Sequence, residues 1–139
     1  MKEHISAVLP HTLPKPAGFS YGFEVKHGRL LFIAGQVARD QNNAVVGKGD
    51  LVAQFRQVCR NIQAVVSAAG GDMTDDVKLT IYVLDVADYK ARLREIGGVY
   101  RDYFGKHFPA MTLVGVRDLY DASDGCMIEV EGFAVLPDA

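Results

Sequence analysis

The sequence predicts an α+β fold in the order ββαβαββ, with two helices on one face of a mixed sheet. Three patterns indicate it. Apolar residues recur every three or four positions over residues 51–69, the period of a helix with one buried face. Apolar and polar residues alternate over residues 77–83, the period of a strand whose faces differ. Two further strand-like segments, residues 110–117 and 127–136, follow a second helical segment, so each helix can cross over between strands.

The first element is an extended N-terminal arm over residues 1–18. Pro10, Pro14 and Pro16 fix the backbone φ angle and lack an N–H group, so this stretch is not expected to form a helix. The chain of 139 residues has the usual length of one domain, and residues 19–139 are expected to form it.

Two strands are expected after the arm. Hydrophobicity alternates over residues 19–25, and the run from residue 30 to residue 34 is apolar. Gly28 lies between these segments, in a stretch that suits a turn. This pattern predicts a β-hairpin.

The first helix is expected to span residues 51–69. Asp50 can cap its free N–H groups, and Gly70 and Gly71 can take the left-handed conformation that ends a helix. Gln54 falls outside the apolar stripe and is expected on the polar side of the helix. The stripe itself consists of Leu51, Phe55, Val58, Ile62, Val65 and Ala69.

The second helix is predicted from helical spacing over residues 89–103. Gly97 and Gly98 lie inside this segment, and each weakens a helix by about 1 kcal/mol relative to alanine. The pair therefore predicts a kink or a close backbone contact within the helix. The apolar positions are Tyr89, Leu93, Ile96, Tyr100 and Tyr103.

Several predicted strands carry apolar residues on both faces. Successive apolar side chains in the run 30–34 point to opposite faces, and Leu113 opposes Val114 in a later strand. Two helices cover only one face of the sheet, so another subunit has to cover the second. The sequence therefore predicts a homo-oligomer with an interface lined by the sheet.

Composition and charge narrow the classes of partner. The net charge is −2 and the basic residues are scattered, which argues against nucleic acid. Cys59 and Cys126 have no His or Cys at a metal-ligand spacing, so no metal site is expected. The sequence has no leader-like start and no long apolar run, so the expected location is the cytoplasm, with no membrane contact.

Glu129 and Glu131 are the residues best suited to acid–base chemistry. They lie about 6.6 Å apart on one face of the last strand, opposite the face that carries Ile128 and Val130. If an oligomer buries this face, desolvation and mutual repulsion raise the pKa of at least one carboxylate, which then suits acid or base catalysis near neutral pH. If the face is open to water, both are ordinary solvated side chains.

Two further positions have two readings each. Tyr21 either presents its hydroxyl group to a ligand or packs in the core with its aromatic neighbours. Gly35 either lets a ligand approach the backbone at the end of an apolar strand or forms a turn.

Several motifs taken together, in their order and spacing, carry a family resemblance: Tyr21, Leu31–Gln36, Gln54, Asn61, Val77–Thr80, Phe108–Ala110 and Ile128–Glu131. Over nearly all of residues 18–136 the chain resembles the reactive-intermediate deaminase family, also called Rid or YjgF-like, some members of which are labelled L-PSP endoribonuclease. The resemblance implies a chorismate-mutase-like fold and a homotrimer with a small-molecule cleft at each subunit interface. It also implies hydrolysis of an imine or enamine without a metal or organic cofactor.

The resemblance assigns roles to individual positions. Glu129 matches the catalytic glutamate that orients or deprotonates the attacking water. Met111 takes the place of the arginine that follows Pro-Ala and grips the substrate carboxylate. The substrate-binding positions expected in the cleft are Tyr21, Gly35, Met111, Thr112, Leu113 and Glu131.

Met111 decides between two functional hypotheses. Arginine supplies a planar fork of donors for a carboxylate, and a thioether supplies neither charge nor donors. The leading hypothesis is a hydrolytic deaminase of a reactive imine or enamine that lacks a carboxylate at the usual position. The alternative is a non-catalytic protein of the same kind that binds a small metabolite or regulates a partner. A third reading, ribonuclease activity, is disfavoured by the acidic charge and the absence of a histidine pair.

Overall fold

The computed structural model describes residues 2–139, and the secondary structure of this part of the chain comprises six strands, three α-helices and two short 3₁₀ helices. The strands are β1 (Ile5–Val8), β2 (Gly22–Val25), β3 (Arg29–Gln36), β4 (Asp76–Val83), β5 (Ala110–Gly115) and β6 (Ile128–Leu136). The helices are α1 (Leu51–Ala68), α2 (Val86–Ala91) and α3 (Leu93–Phe104).

Four of the strands form the main sheet, in the order β3-β6-β4-β5. β6 runs antiparallel to both of its neighbours, whereas β4 and β5 are parallel and are connected through α2 and α3. α1 and α3 contact each other on one face of the sheet, where Ile62, Ile81 and Val130 lie in a shared apolar core. The predicted α+β fold with a mixed sheet and helices on one face is confirmed.

The ends of α1 follow the predicted signals. The Asp50 side chain accepts a hydrogen bond from the Ala53 N–H at 3.1 Å, and Gly70 has a φ of 89° just past the last turn. The prediction for Gln54 is wrong, because its side chain is fully buried. Gln54 lies three residues after Leu51 and four before Val58, so it occupies the apolar stripe despite its polarity.

The predicted hairpin is also wrong. β2 pairs with β1, in the register Ile5 to Val25, and β3 pairs with β6. Alternating hydrophobicity identifies strands but not their partners. Gly28, with a φ of 131°, lies so close to the end of β6 that a Cβ there would be 2.6 Å from the Leu136 carbonyl oxygen. The connection therefore brings β3 alongside β6, and the segment expected as an extended arm contains β1.

The second predicted helix is two helices. The break lies at Arg92, and Gly97 and Gly98 sit inside the unbroken α3. A Cβ on Gly97 would meet only the Arg101 side chain, at an ordinary contact distance of 3.5 Å. The predicted close backbone contact is absent at the glycine pair, and α3 runs through it without a break.

The second face of the sheet exposes apolar side chains, as the sequence predicts. Leu30 is 59% exposed, Phe32 69% and Phe133 40%, and the two phenylalanine rings meet edge to face at 5.3 Å. One end of this face is covered, because Val135 packs against Ile5 of β1. The rest is a surface of a kind that soluble monomers rarely leave open.

Candidate functional site

Glu129 lies on the second face of the sheet, beside Gly35 of β3. The two residues are so close that a Cβ at position 35 would collide with the Glu129 carboxylate. Any other residue at position 35 would therefore push the carboxylate out of this place. Within residues 2–139 no protein group donates a hydrogen bond to Glu129, which leaves both carboxylate oxygens available.

The pKa of Glu129 is raised above its ordinary value. Partial burial is the main cause, and the negative charges of Asp121 and Glu131 add to it. Glu131 differs, because it accepts a hydrogen bond from the Tyr82 hydroxyl at 2.7 Å. The two carboxylates thus have distinct environments. Glu129 accepts no hydrogen bond from residues 2–139 and has a raised pKa, whereas Glu131 is hydrogen-bonded to Tyr82.

Asp121, which contributes to the raised pKa, is fixed by Arg39. The Arg39 Nη2 donates to Asp121 at 2.9 Å and to Asp124 at 2.6 Å. This ion pair ties the loop after β5 to the segment after β3. No sequence pattern predicts this ion pair, since the partners are 82 and 85 residues apart.

Gln54 positions the strand that carries Glu129. Its amide nitrogen donates to the Gly125 carbonyl oxygen at 2.8 Å, and its amide oxygen accepts from the Met127 N–H at 2.8 Å. Both bonds hold the backbone just before β6 begins. The helical stripe contained the signal, because a polar residue at a buried position of an amphipathic helix requires buried partners.

Met111 lies on the opposite face of the sheet from Glu129. It pairs in register with Leu79, whereas Glu129 pairs with Tyr82 on the second face. Met111 and Leu113 line a cavity of about 490 Å³ between β5 and α3. Within one chain the structure therefore separates the predicted site into two halves.

Thr112 and Tyr21 complete the placement of the predicted positions. Thr112 lies on the second face in one cross-strand row with Thr80 and Glu131, and its hydroxyl oxygen accepts from the Lys78 ammonium at 2.8 Å. Tyr21 lies near the start of β5, because Ser20 forms a bridge with Ala110. Its hydroxyl donates to the Pro14 carbonyl oxygen at 2.8 Å, so it is already bonded within the chain.

The cavity beside Met111 is mostly aromatic and aliphatic. Burial raises the pKa of Tyr89 to about 12 and also raises that of Tyr100, so both phenols stay neutral. The Tyr100 hydroxyl donates to the His107 carbonyl oxygen at 2.9 Å. The lining residues are Ala17, Gly18, Phe19, Tyr89, Leu93, Ile96, Gly97, Tyr100, Arg101, Phe108, Met111 and Leu113.

Residues 2–139 contain neither a metal-binding cluster nor a membrane-spanning helix. No three His, Cys, Asp or Glu side chains are grouped as they would be around a metal ion. No helix there combines the length and apolar character needed to cross a bilayer.

Comparisons with known proteins agree with this architecture. A family model described as Endoribonuclease L-PSP matches residues 12–136. A RutC family protein of Pyrococcus horikoshii is 39% identical over 134 residues, which cover 96% of this chain and 98% of that protein. A 2-iminobutanoate/2-iminopropanoate deaminase of Capra hircus is 32% identical over 125 residues, with 89% and 86% covered. The crystal structure of YyfB, a Yersinia pestis protein of the conserved Rid family, superposes with a TM-score of 0.85 at 35% identity, covering 96% of this chain and 99% of that one.

Proposed function

This chain belongs to the Rid, or endoribonuclease L-PSP, family, and from that premise we propose that it is a hydrolytic deaminase of a reactive imine or enamine metabolite. The observation that carries the proposal is the position and the raised pKa of the Glu129 carboxylate. Its carboxylate lies over Gly35, makes no protein hydrogen bond within residues 2–139, and has a raised pKa. The deaminase named among the relatives supports the same reaction class.

In the proposed reaction Glu129 is the general base. It accepts a proton from a water molecule while the water oxygen bonds to the imine carbon. Glu129 returns this proton to the imine nitrogen, which gives the carbinolamine. It then takes the proton of the carbinolamine hydroxyl and passes it to the amine, so the C–N bond breaks and a carbonyl compound and ammonia are released. A raised pKa suits this role, because a carboxylate that titrates closer to neutral pH both accepts and returns a proton readily.

The proposed site is completed by assembly into a homotrimer. One chain places Glu129 and Met111 on opposite faces of the sheet, so a cleft that contains both needs two subunits. The exposed Leu30, Phe32 and Phe133 supply the apolar surface that such an interface buries. Closed cyclic symmetry then gives every subunit the same pair of half-sites.

The substrate is atypical, because Met111 lies where the family resemblance implies an arginine. Charge-assisted hydrogen bonds contribute about 1.5–3 kcal/mol each, so an imino acid bound by that arginine would lose one to several orders of magnitude in affinity here. Met111 and Leu113 instead present apolar atoms to the cavity. The substrate is therefore an imine or enamine without a carboxylate at the usual position.

Glu129→Gln tests the proposed base. Imines are generated in the assay by an amine oxidase, and ammonia release is followed. The variant keeps the side-chain shape, and turnover is expected to fall by about 10²–10⁴-fold while the oligomer persists. Glu24→Gln is the matched control, because Glu24 is an exposed carboxylate on β2 outside the proposed site, and it should stay close to wild type. Equal activity of wild type and Glu129→Gln would refute the assignment.

The alternative is a non-catalytic protein that binds a small metabolite, and Met111 is the observation that favours it. Thermal shift measurements separate the two functions. A ligand at 100 times its Kd stabilises the folded state by about 2.7 kcal/mol whether or not it is turned over. Stabilisation by imine analogues without ammonia release from any imine would favour the binding protein.

A further inference from the structure

The cavity that Met111 lines has one charged residue among its lining side chains, Arg101. Arg101 is exposed on the last turn of α3. The cavity has a volume of about 490 Å³, which falls in the range of pockets that hold small molecules. Aromatic rings lie behind this cavity, because the Tyr100 ring stacks on Phe104 at 4.5 Å and on Phe108 at 5.8 Å.

Arg101 has no carboxylate partner within 4.0 Å among residues 2–139. Arg39 and Arg56 are paired, with Asp121 and Asp102, whereas Arg101 shares this unpaired state with Arg94 on the same helix. A cation near the C-terminus of α3 is favoured by the helix dipole. The dipole accounts for a positive charge on the last turn, but not for its place at the mouth of an apolar cavity.

The glycine pair of α3 explains how Arg101 reaches that place. Side chains on a helix lean over the preceding turn, which for Arg101 consists of Gly97 and Gly98. Its Nη1 is 3.5 Å from where a Cβ of Gly97 would be, and its Nη2 is 4.0 Å from the corresponding point on Gly98. Two poor helix formers inside an unbroken helix thus give the guanidinium a bare surface to lie on.

We propose that this cavity binds a monocarboxylate with a flat apolar body, with the carboxylate on Arg101 and the body against Met111 and Tyr100. Arg101 then supplies the anchoring charge that position 111 lacks. A planar guanidinium forms paired hydrogen bonds with a carboxylate, and the apolar wall favours an aryl or branched aliphatic group. That this monocarboxylate is the substrate or the carbonyl product of the reaction rests on the proposed function.

The test compares an acid with its neutral isostere. 3-Phenylpropanoate and 3-phenylpropanamide are titrated separately into the full-length protein by isothermal titration calorimetry. The acid is expected to bind about 10–100-fold more tightly than the amide, the contribution of a charge-assisted pair. Arg101→Ala should reduce the affinity for the acid to that for the amide. Arg94→Ala is the matched control, because Arg94 is exposed on the same helix and does not line the cavity.

A second variant fills the cavity. Gly97→Leu is tolerated by the backbone, since a Cβ there meets only Arg101 at 3.5 Å, and leucine favours the helix more than glycine does. It should weaken both ligands about tenfold or more. Equal affinities for acid and amide, no binding of either at millimolar concentration, or equal losses in Arg94→Ala and Arg101→Ala would overturn the proposal.

Glu129→Gln separates this inference from the proposed function. The preference for the acid should persist in that variant, because Glu129 lies on the other face of its own chain. Retained turnover in Glu129→Gln, together with an acid preference that Arg101→Ala abolishes, would refute the proposed base and leave this binding site standing. Lost turnover in Glu129→Gln with no acid preference in wild type would do the reverse.

Discussion

Replacing Gln54 tests how the start of β6 is held. The side chain is fully buried and bonds the Gly125 carbonyl oxygen and the Met127 N–H, each at 2.8 Å. Gln54→Leu keeps most of the volume but leaves both backbone groups without a partner. An unsatisfied buried group costs about 1–3 kcal/mol, so the loss of both partners is expected to cost about 2–6 kcal/mol of unfolding free energy. Glu129 lies two residues beyond Met127, so turnover should fall as well.

Urea unfolding followed by circular dichroism measures this loss, at one fixed protomer concentration because assembly shifts apparent stability. Gln57→Leu is the matched control. Gln57 lies on the same helix and bonds only the Asn61 side chain, at 2.9 Å, so its replacement should change the free energy by less than about 1 kcal/mol. A Gln54→Leu variant as stable as Gln57→Leu would show that the two backbone bonds do not hold β6.

Three further outcomes are expected. Light scattering at micromolar protein should give a trimer, and a monomer near 15 kDa would remove the proposed interface. Met111→Arg should raise the turnover of 2-aminoacrylate, assayed by keto-acid detection with a coupled generator; strong wild-type turnover would show that another group anchors the carboxylate. Asp76 is buried beside Asp75, and its pKa is raised from 3.8 to about 8. A carboxyl group whose pKa is raised in the folded state stabilises the fold fully below pH 3.8, and this contribution is lost as the pH rises through about 8. Relative to wild type, Asp76→Asn should therefore gain at least about 1 kcal/mol of unfolding free energy as the pH is raised from about 5 to about 8. Parallel pH curves for the two proteins, measured by urea unfolding, would contradict it.

The fold was largely predictable because its elements are marked by local signals. The stripe of α1 with Asp50 before it, and the alternation in β4, are properties of short segments that each element needs in order to form. Strand pairing was not predictable in this way. The partner of β2 depends on Ile5, seventeen residues before that strand begins, and hydrophobic alternation is the same whichever strand is adjacent.

The sequence predicted which face of the sheet carries the candidate site, but not the neighbours of its two carboxylates. Parity along β6 placed Glu129 and Glu131 on one face, and the structure agrees. Parity could not distinguish the two carboxylates, because Tyr82 bonds only Glu131 and the charge of Asp121 raises the pKa of Glu129, and both residues lie outside β6. Likewise, helical periodicity places Gln54 at a buried position, but it does not identify the partners of its side chain, a carbonyl and an N–H group more than 70 residues away.

The separation of Glu129 and Met111 onto opposite faces makes every proposed cleft a joint product of two polypeptides. Chains that are each inactive for a different reason can then complement one another. If Glu129→Gln chains, which lack the base, are refolded with an equal amount of Gly97→Leu chains, which lack the cavity, roughly a quarter of all clefts in the resulting trimers pair an intact cavity with an intact base. The mixture would then be more active than either variant alone. In a cell carrying both alleles, the defect would be partly hidden.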